Sequence, residues 1–277
     1  MNECLWPPLK QPLLPAADEV LLLSVPLDVD AKRIAQFRST FSPREQQRAA
    51  RYATDELRNR WVAGRGLLRE LLAAALGGTA GEIAFTYGAH GKPALDPWSA
   101  PSPADGGPPL TFNVSHSRGR GLYALGRGRK VGVDLEEMRA RKSDGVANRF
   151  FAAGESASLR AIEDELARRR SFFFIWSAKE AFIKATGAGL SQSLSSFEFA
   201  LDTIAHPLGS AFGDERVLVA PFAVQSHVDD AEAHARWSVH PCSPAQGFSG
   251  CLVAEGTPRA VALREWDSSV PLAALSG

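Results

Sequence analysis

Apolar and polar positions follow two rhythms along this chain, a short strand-like one through the middle and a helical one at a few places. The run Val20-Leu-Leu-Leu-Ser-Val25 is short and rich enough in strand formers to predict a first strand, after an irregular lead-in over residues 1–17. A helical stretch follows. Within it Ser42-Pro43-x-Glu45 is a start signal, with a capping serine, proline at the first helical position and an acid in the first turn. A longer helix is expected over residues 55–76, with Leu57, Trp61, Leu68 and Leu72 along one side and Gly77-Gly78 as its stop. Short apolar or alternating runs at 83–87, 110–114, 122–125 and 131–135 predict strands, and the Pro-, Gly-, Ser- and Asp-rich stretch 96–109 predicts a surface loop. The second half opens with an expected helix near 155–170, with Leu159, Ile162 and Leu166 on one face and Arg168–Arg170 ending it. Another helix is expected around 172–186, stopped by Gly187 and Gly189, before strands at 197–201, 237–240 and 248–253. Strands in both halves, few β-α-β alternations and hairpin-length gaps predict an α+β fold with antiparallel sheets.

A faint internal repeat runs through the two long helices. Trp61-Val-Ala63 followed by Leu67-Leu68-Arg69 lines up with Trp176-Ser-Ala178 followed by Phe182-Ile183-Lys184, and both segments end in glycines. The 277 residues amount to about two domain equivalents. Lys+Arg and Asp+Glu both number 31, so the net charge of zero argues against a globally basic nucleic-acid binder. Three cysteines without a CxxC pair fit a reducing compartment. No stretch reaches the roughly 18 apolar residues of a membrane span. The N-terminus also lacks a basic region ahead of its apolar stretch, so the chain reads as cytoplasmic, with no membrane partner.

Two motifs carry chemistry. In Val131-Gly-Val-Asp134-Leu-Glu136 the strand period places Asp134 and Glu136 on one face, where two carboxylates repel unless a cation or proton lies between them. In Trp176-Ser-Ala-Lys179-Glu180-Ala-Phe-Ile-Lys184-Ala-Thr-Gly187 the helical period puts Trp176, Glu180, Lys184 and Gly187 on one stripe and the apolar Ile175, Ala178 and Phe182 on another. Alone, the first is also the pattern of a solvated strand end and the second that of a surface ion pair. Together, a third carboxylate converging on Asp134 and Glu136 makes an all-oxygen site suited to Mg²⁺, with Lys184 as a phosphate donor beside it. That is equipment for phosphoryl transfer, and equally for a metal-dependent nuclease.

The order of motifs narrows the choice. VGVDLE, RFF at Arg149–Phe151 and WSAKEAFIKATGAGL, preceded by Gly91-Lys-Pro93 and Phe112-Asn-Val-Ser-His116-Ser117, resemble the 4′-phosphopantetheinyl transferases of the surfactin-synthetase type, in the subgroup reading W-x-x-K-E-A. The resemblance runs from about Ser42 to Ala254. It implies a monomer of two pseudo-symmetric half-domains, each an antiparallel sheet packed with a long helix, divided here as residues 1–137 and 138–277. Coenzyme A would lie in the cleft between them. Carried over by motif, Asp134, Glu136 and Glu180 would bind Mg²⁺, and Asp134 would also lie against the cofactor. His116 and Lys184 would touch the coenzyme A diphosphate, while Lys92, Pro93 and Ser115 would lie near the nucleotide. Arg60 resembles the family's phosphate-binding arginine and Arg48 a family basic position. Another family lysine falls near Glu45, a departure that leaves the role of Arg44 open. The remaining early arginines, Arg58, Arg65 and Arg69 among them, are expected on a solvated face.

The implied reaction is attack by a serine of an apo acyl or peptidyl carrier protein on the β-phosphate of coenzyme A, releasing adenosine 3′,5′-bisphosphate. Glu180 and Lys184 would be catalytic. Either Glu180 or a water held by the metal accepts the serine proton, and the sequence does not choose between them. A carrier-binding module without activity is the remaining alternative, and intact Asp134, Glu136, Glu180 and Lys184 argue against it. Carrier contacts are expected near Arg168–Arg170.

Overall fold

A computed structural model of the chain describes residues 6–9, 13–88, 90–97, 103, 106–139, 143–189, 192–199, 222–227, 232–269 and 271–272. The first strand β1 (Glu19–Pro26) leads to helices α1 (Ala31–Ser39), α2 (Pro43–Ala50) and α3 (Asp55–Leu76). A small hairpin β2 (Phe85–Tyr87) and β3 (Pro93–Leu95) precedes the longer strands β4 (Leu110–Ser117), β5 (Arg120–Arg127) and β6 (Val131–Glu137). Then come α4 (Ser143–Phe150), α5 (Ala153–Arg160), α6 (Glu165–Thr186), β7 (Phe197–Phe199), β8 (Phe222–His227), α7 (Ala233–Arg236), β9 (Trp237–Cys242), β10 (Phe248–Glu255) and β11 (Ala260–Glu265). The fold is α+β, as the patterning predicts.

Two sheets stack between two long helices, and the strand period shows why. On β1, Leu21, Leu23 and Val25 pack with Val62, Ala63, Leu67 and Leu71 of α3. The alternate residues Val20 and Leu22 join Leu122 and Ala124 of β5, Val131, Val133 and Leu135 of β6, and Leu252 and Ala254 of β10 in a separate core between the sheets. On the far side Phe174, Ala178, Ala181, Phe182 and Ala185 of α6 cover Val239, Cys251 and Val253. The layers therefore run α3, first sheet, second sheet, α6. Strands covered on both faces read as continuous apolar runs, which is why residues 20–23 show no alternation.

The first sheet has the order β11-β1-β5-β4 and the second β6-β10-β9-β8-β7. Sheet membership crosses the expected division at residue 137, because β6 belongs to the second sheet and β11 to the first. β11, in the tail for which the motifs offered no role, pairs parallel with β1, Glu19 opposite Ala260 through Ser24 opposite Glu265. The first sheet is thus mixed rather than purely antiparallel.

Helix starts follow the capping signals. Ser42 and Glu45 form a reciprocal capping box at α2, and Thr54 and Asp164 accept from backbone N–H groups at the starts of α3 and α6. Asp164 also corrects an expectation: the single helix near 155–170 is two, broken between Arg160 and Glu165. Arg168–Arg170 therefore lie in the first turns of α6 and end nothing. Leu166 and Leu57 are 44% and 51% exposed, so neither joins its helix's inner face. Residues 98–102, 104 and 105 of the loop expected at 96–109 lie outside the described residues, as do residues 200 and 201 of the strand expected at 197–201.

The repeat is present at a different register. A shift of 110 residues carries the α3 span Asp55–Leu76 onto the α6 span Glu165–Thr186 and Gly77 onto Gly187. Both glycines cap their helices in the left-handed region, at φ 73° and 78°. Arg69 thus corresponds to Lys179, not to Lys184.

Candidate active site

The site forms where the edge of the first sheet meets the edge of the second. β4 and β6 run side by side and are joined by side chains instead of a backbone ladder. Asn113 Oδ1 accepts from Val133 N at 2.8 Å, and Ser117 Oγ accepts from Glu137 N at 3.1 Å. These bonds satisfy donors that an open edge would leave unpaired, and they set Ser115 opposite Asp134.

Gly132 determines what lies above. A Cβ there would stand 2.1 Å from Ala181 O and 2.4 Å from Ala185 N, so α6 crosses β6 in backbone contact. Only glycine permits that approach. The same face of β6 carries Asp134 and Glu136, and the close crossing brings Lys184 down onto Asp134. Lys184 Nζ donates to Asp134 Oδ1 at 2.7 Å and to Ser115 Oγ at 2.9 Å, and Ser115 Oγ donates to the same Oδ1 at 2.9 Å.

Asp134 is buried, and its second oxygen, Oδ2, has no hydrogen-bond partner. Glu180, one turn before Lys184 on α6, has its carboxyl pKa raised by burial and by the negative charge of Asp134, with Lys184 opposing. Glu136 pairs across the sheet with Ser249 of β10 and is half-buried. His116, next along β4, stays open to solvent at the mouth. Desolvation by the surrounding protein pulls its pKa below the ordinary value, and Lys184 and Arg48 reinforce the shift.

No three His, Cys, Asp or Glu side chains among the described residues form a ready-made metal site. The expected trio is not a closed cage. It is an incomplete donor set: Lys184 and Ser115 occupy one oxygen of Asp134, the other is buried and unpaired, and Glu180 feels its charge. Mg²⁺ favours such a site, since it takes one or two carboxylates and completes its shell with waters and substrate phosphates. The residues present fit that ion.

Residues 130–237 match the 4′-phosphopantetheinyl transferase superfamily, and residues 30–124 match the N-terminal region of 4′-phosphopantetheinyl transferases. The chain is 38% identical over 197 residues to the 4′-phosphopantetheinyl transferase HetI of Nostoc sp., covering 71% of this chain and 80% of that protein. The chain belongs to the 4′-phosphopantetheinyl transferase family. Within the family it is 30% identical over 166 residues to Sfp of Bacillus subtilis, 60% of this chain and 69% of that protein. It is also 26% identical over 236 residues to the human L-aminoadipate-semialdehyde dehydrogenase-phosphopantetheinyl transferase, 83% of this chain and 69% of that protein.

The other residues that the transferase motifs point to lie around this centre. Arg60 and His116 line one cavity of about 490 Å³ with Tyr52, Trp61, Arg118 and Arg139. Arg60 is held there by Asp28, with Nε–Oδ1 at 2.6 Å and a second bond at 3.0 Å, and by Glu56. Arg48 lies 5.8 Å over Trp61 and lines a basic recess of about 560 Å³ with Arg44, Gln47, Arg51 and Tyr52. Arg44 sits over the Tyr87 ring at 4.5 Å. Lys92 and Pro93 lie on the hairpin at another cavity, lined also by Leu76, Thr111 and Gly187. The Lys92 ammonium reaches Val131 O at 3.3 Å and Lys184 O, and so does not join the Ser115–Asp134 pair. Burial, with Lys130 nearby, lowers its pKa to about 8.

Several charged residues have roles that the sequence concealed. Arg69, expected in solvent, is buried against Glu45 at 2.6 Å and donates to Ala80 O and Ile83 O. Glu45, where the family pattern would place a lysine, is therefore a structural acid. Arg65 is also buried, over Phe85 at 4.6 Å, with one terminal nitrogen unpaired. Lys179 is fully buried, paired with Glu155 at 2.8 Å and donating to Leu194 O and Phe197 O. The spacing of Glu45 to Arg69 equals that of Glu155 to Lys179, which was a signal available in the sequence.

Proposed function

We propose that the chain transfers the 4′-phosphopantetheine arm of coenzyme A to a serine of apo acyl or peptidyl carrier proteins, releasing adenosine 3′,5′-bisphosphate. The observation that carries this reading is the Ser115–Asp134–Lys184 cluster, in which a buried carboxylate oxygen is left unpaired beside Glu180. Asp134, Glu136 and Glu180 would hold Mg²⁺, which when bound neutralises diphosphate oxygens as charge moves onto the leaving group. Lys184 exchanges part of its grip on Asp134 for a phosphate oxygen, and His116 contacts the diphosphate from β4. Arg60 exchanges Asp28 for the 3′-phosphate, and Arg48 with its recess supplies further positive charge there. The serine oxygen bonds to the β-phosphorus, the bond from that phosphorus to the bridging oxygen breaks, and the serine proton passes to Glu180.

The first sheet supplies Ser115 and His116 and the second supplies Asp134, so one chain carries both sides of the site, which supports reading the protein as a monomer. The test is mass spectrometry of apo carrier proteins incubated with the chain, coenzyme A and Mg²⁺. Addition of the phosphopantetheine mass, abolished by chelation and restored by Mg²⁺, is expected. No addition across a broad carrier panel would defeat the proposal.

A further inference from the structure

We infer that Lys92 is a positioning residue, which holds the site's own lysine in place by capping the end of α6 and tying it to β6. The inference rests on the transferase reading and departs from the nucleotide contact that the motif resemblance suggests. The last carbonyls of a helix have no partner within it. At the end of α6, Gly187 N bonds Ile183 O at 3.0 Å. The next amide, Ala188 N, donates to Thr186 Oγ1 at 3.4 Å. Lys92 Nζ takes that carbonyl, a favourable place for a cation at the negative end of a helix.

The same Nζ donates to Val131 O, the first carbonyl of β6 and three residues before Asp134. One side chain from the hairpin therefore bridges the strand that carries Asp134 and the helix residue whose ammonium meets it. Gly132 lets the two backbones approach at this level, but a missing Cβ only removes an obstacle. Lys92 supplies the attraction. An uncharged amine keeps two N–H donors, so both contacts survive loss of its proton.

Three proteins test this: wild type, Lys92→Met, and Lys130→Met, which removes a neighbouring charge that makes neither contact. Transfer to an apo carrier gives kcat and the KM for coenzyme A, and amide hydrogen exchange reads residues 183–188. Lys92→Met is expected to lower kcat tenfold or more with KM changed less than twofold. Exchange in the last turn of α6 should quicken at least tenfold, while the last turn of α3 keeps its wild-type rate. Lys130→Met should match wild type within twofold in every readout. A raised KM with kcat retained would make Lys92 a nucleotide contact and overturn the inference, and so would faster exchange with unchanged kcat. If wild type modifies no carrier, the transferase reading fails by itself. Unchanged exchange in Lys92→Met overturns the clamp in either case.

Discussion

The two long helices are built alike and used differently. Each has 22 residues, starts at a side-chain cap and stops at a left-handed glycine. Each buries a cation at its fifteenth position: Arg69 in α3 bonds Glu45, and Lys179 in α6 bonds Glu155. Both acids sit at the third position of the short helix before, and both cations also donate to two carbonyls of the segment after. The two halves diverge at the very next residue. Glu70 accepts two bonds of 2.6 Å from Arg33, so its charge is fully engaged. Its counterpart Glu180 faces another carboxylate, Asp134. The strand faces under the helices differ in the same sense: Leu21, Leu23 and Val25 on β1, but Gly132, Asp134 and Glu136 on β6. At these matched positions α3 closes its charges into pairs and gives support, whereas α6 and β6 leave an oxygen uncommitted that can take a ligand.

The largest expected effect strikes both halves equally. Lys179→Met and Arg69→Met each strand a buried carboxylate, which should cost about 3–5 kcal/mol of unfolding free energy in urea denaturation. A loss confined to one of them would break the correspondence. The next effect should separate the halves. Asp134→Ala and Glu180→Gln are expected to cut the turnover of carrier modification about a hundredfold or more, equivalent to about 3 kcal/mol. Glu70→Gln, at the matching position, should lose stability but keep turnover within about threefold, since Arg33 retains a neutral acceptor. Equal losses of turnover at Glu70 and Glu180 would end the division into support and site.

At the nucleotide end, Arg60→Ala should weaken coenzyme A binding by about 1.5–3 kcal/mol by calorimetry, the usual worth of a charge-assisted bond. The loss should nearly vanish with 3′-dephospho-coenzyme A. Equal losses with both ligands would return Arg60 to its structural partners Asp28 and Glu56.

The smallest effect is one of pH. Burial pulls the pKa of His240, on β9, down to about 4. The folded state therefore resists protonating it, and the unfolded chain takes up the proton first as pH falls below about 6.5. The stabilisation is whole above that value and is lost progressively towards pH 4, about 1.4 kcal/mol of it by pH 5.5. His240→Phe should flatten this limb of the stability profile. An unchanged profile would place the acid sensitivity elsewhere.

Local signals in the sequence were reliable where the physics is local. The cap at Ser42, the stops at Gly77 and Gly187, and the strand around Asp134 depend on neighbours within a few residues. The break at Asp164 was hidden because Leu159, Ile162 and Leu166 keep helical spacing across it. Arg65 and Arg69 read as solvent-facing because charge usually is, and the acid that pairs with them, Glu45, belongs to another helix. The repeat appeared five residues out of register because apolar residues recur every turn, whereas the buried cation occurs once. For the site, the motif order identified Ser115, Asp134 and Lys184, which the fold brings together. The seam bond from Asn113, the cap from Lys92 and the close approach at Gly132 depend on segments that meet only after folding.

The parallel strand β11 has a consequence for biosynthesis. Arg259, just before it, bonds Asp18 from 241 positions away, and Trp266, just after it, donates to Ser24 O. Because a chain is made from its N-terminus, β1 leaves the ribosome early and waits with one edge unclothed while the second sheet is translated. The first half thus cannot finish folding as an independent unit during translation. Its closing strand is translated only after every strand of the second sheet, which leaves the nascent β1 edge in need of shielding until then.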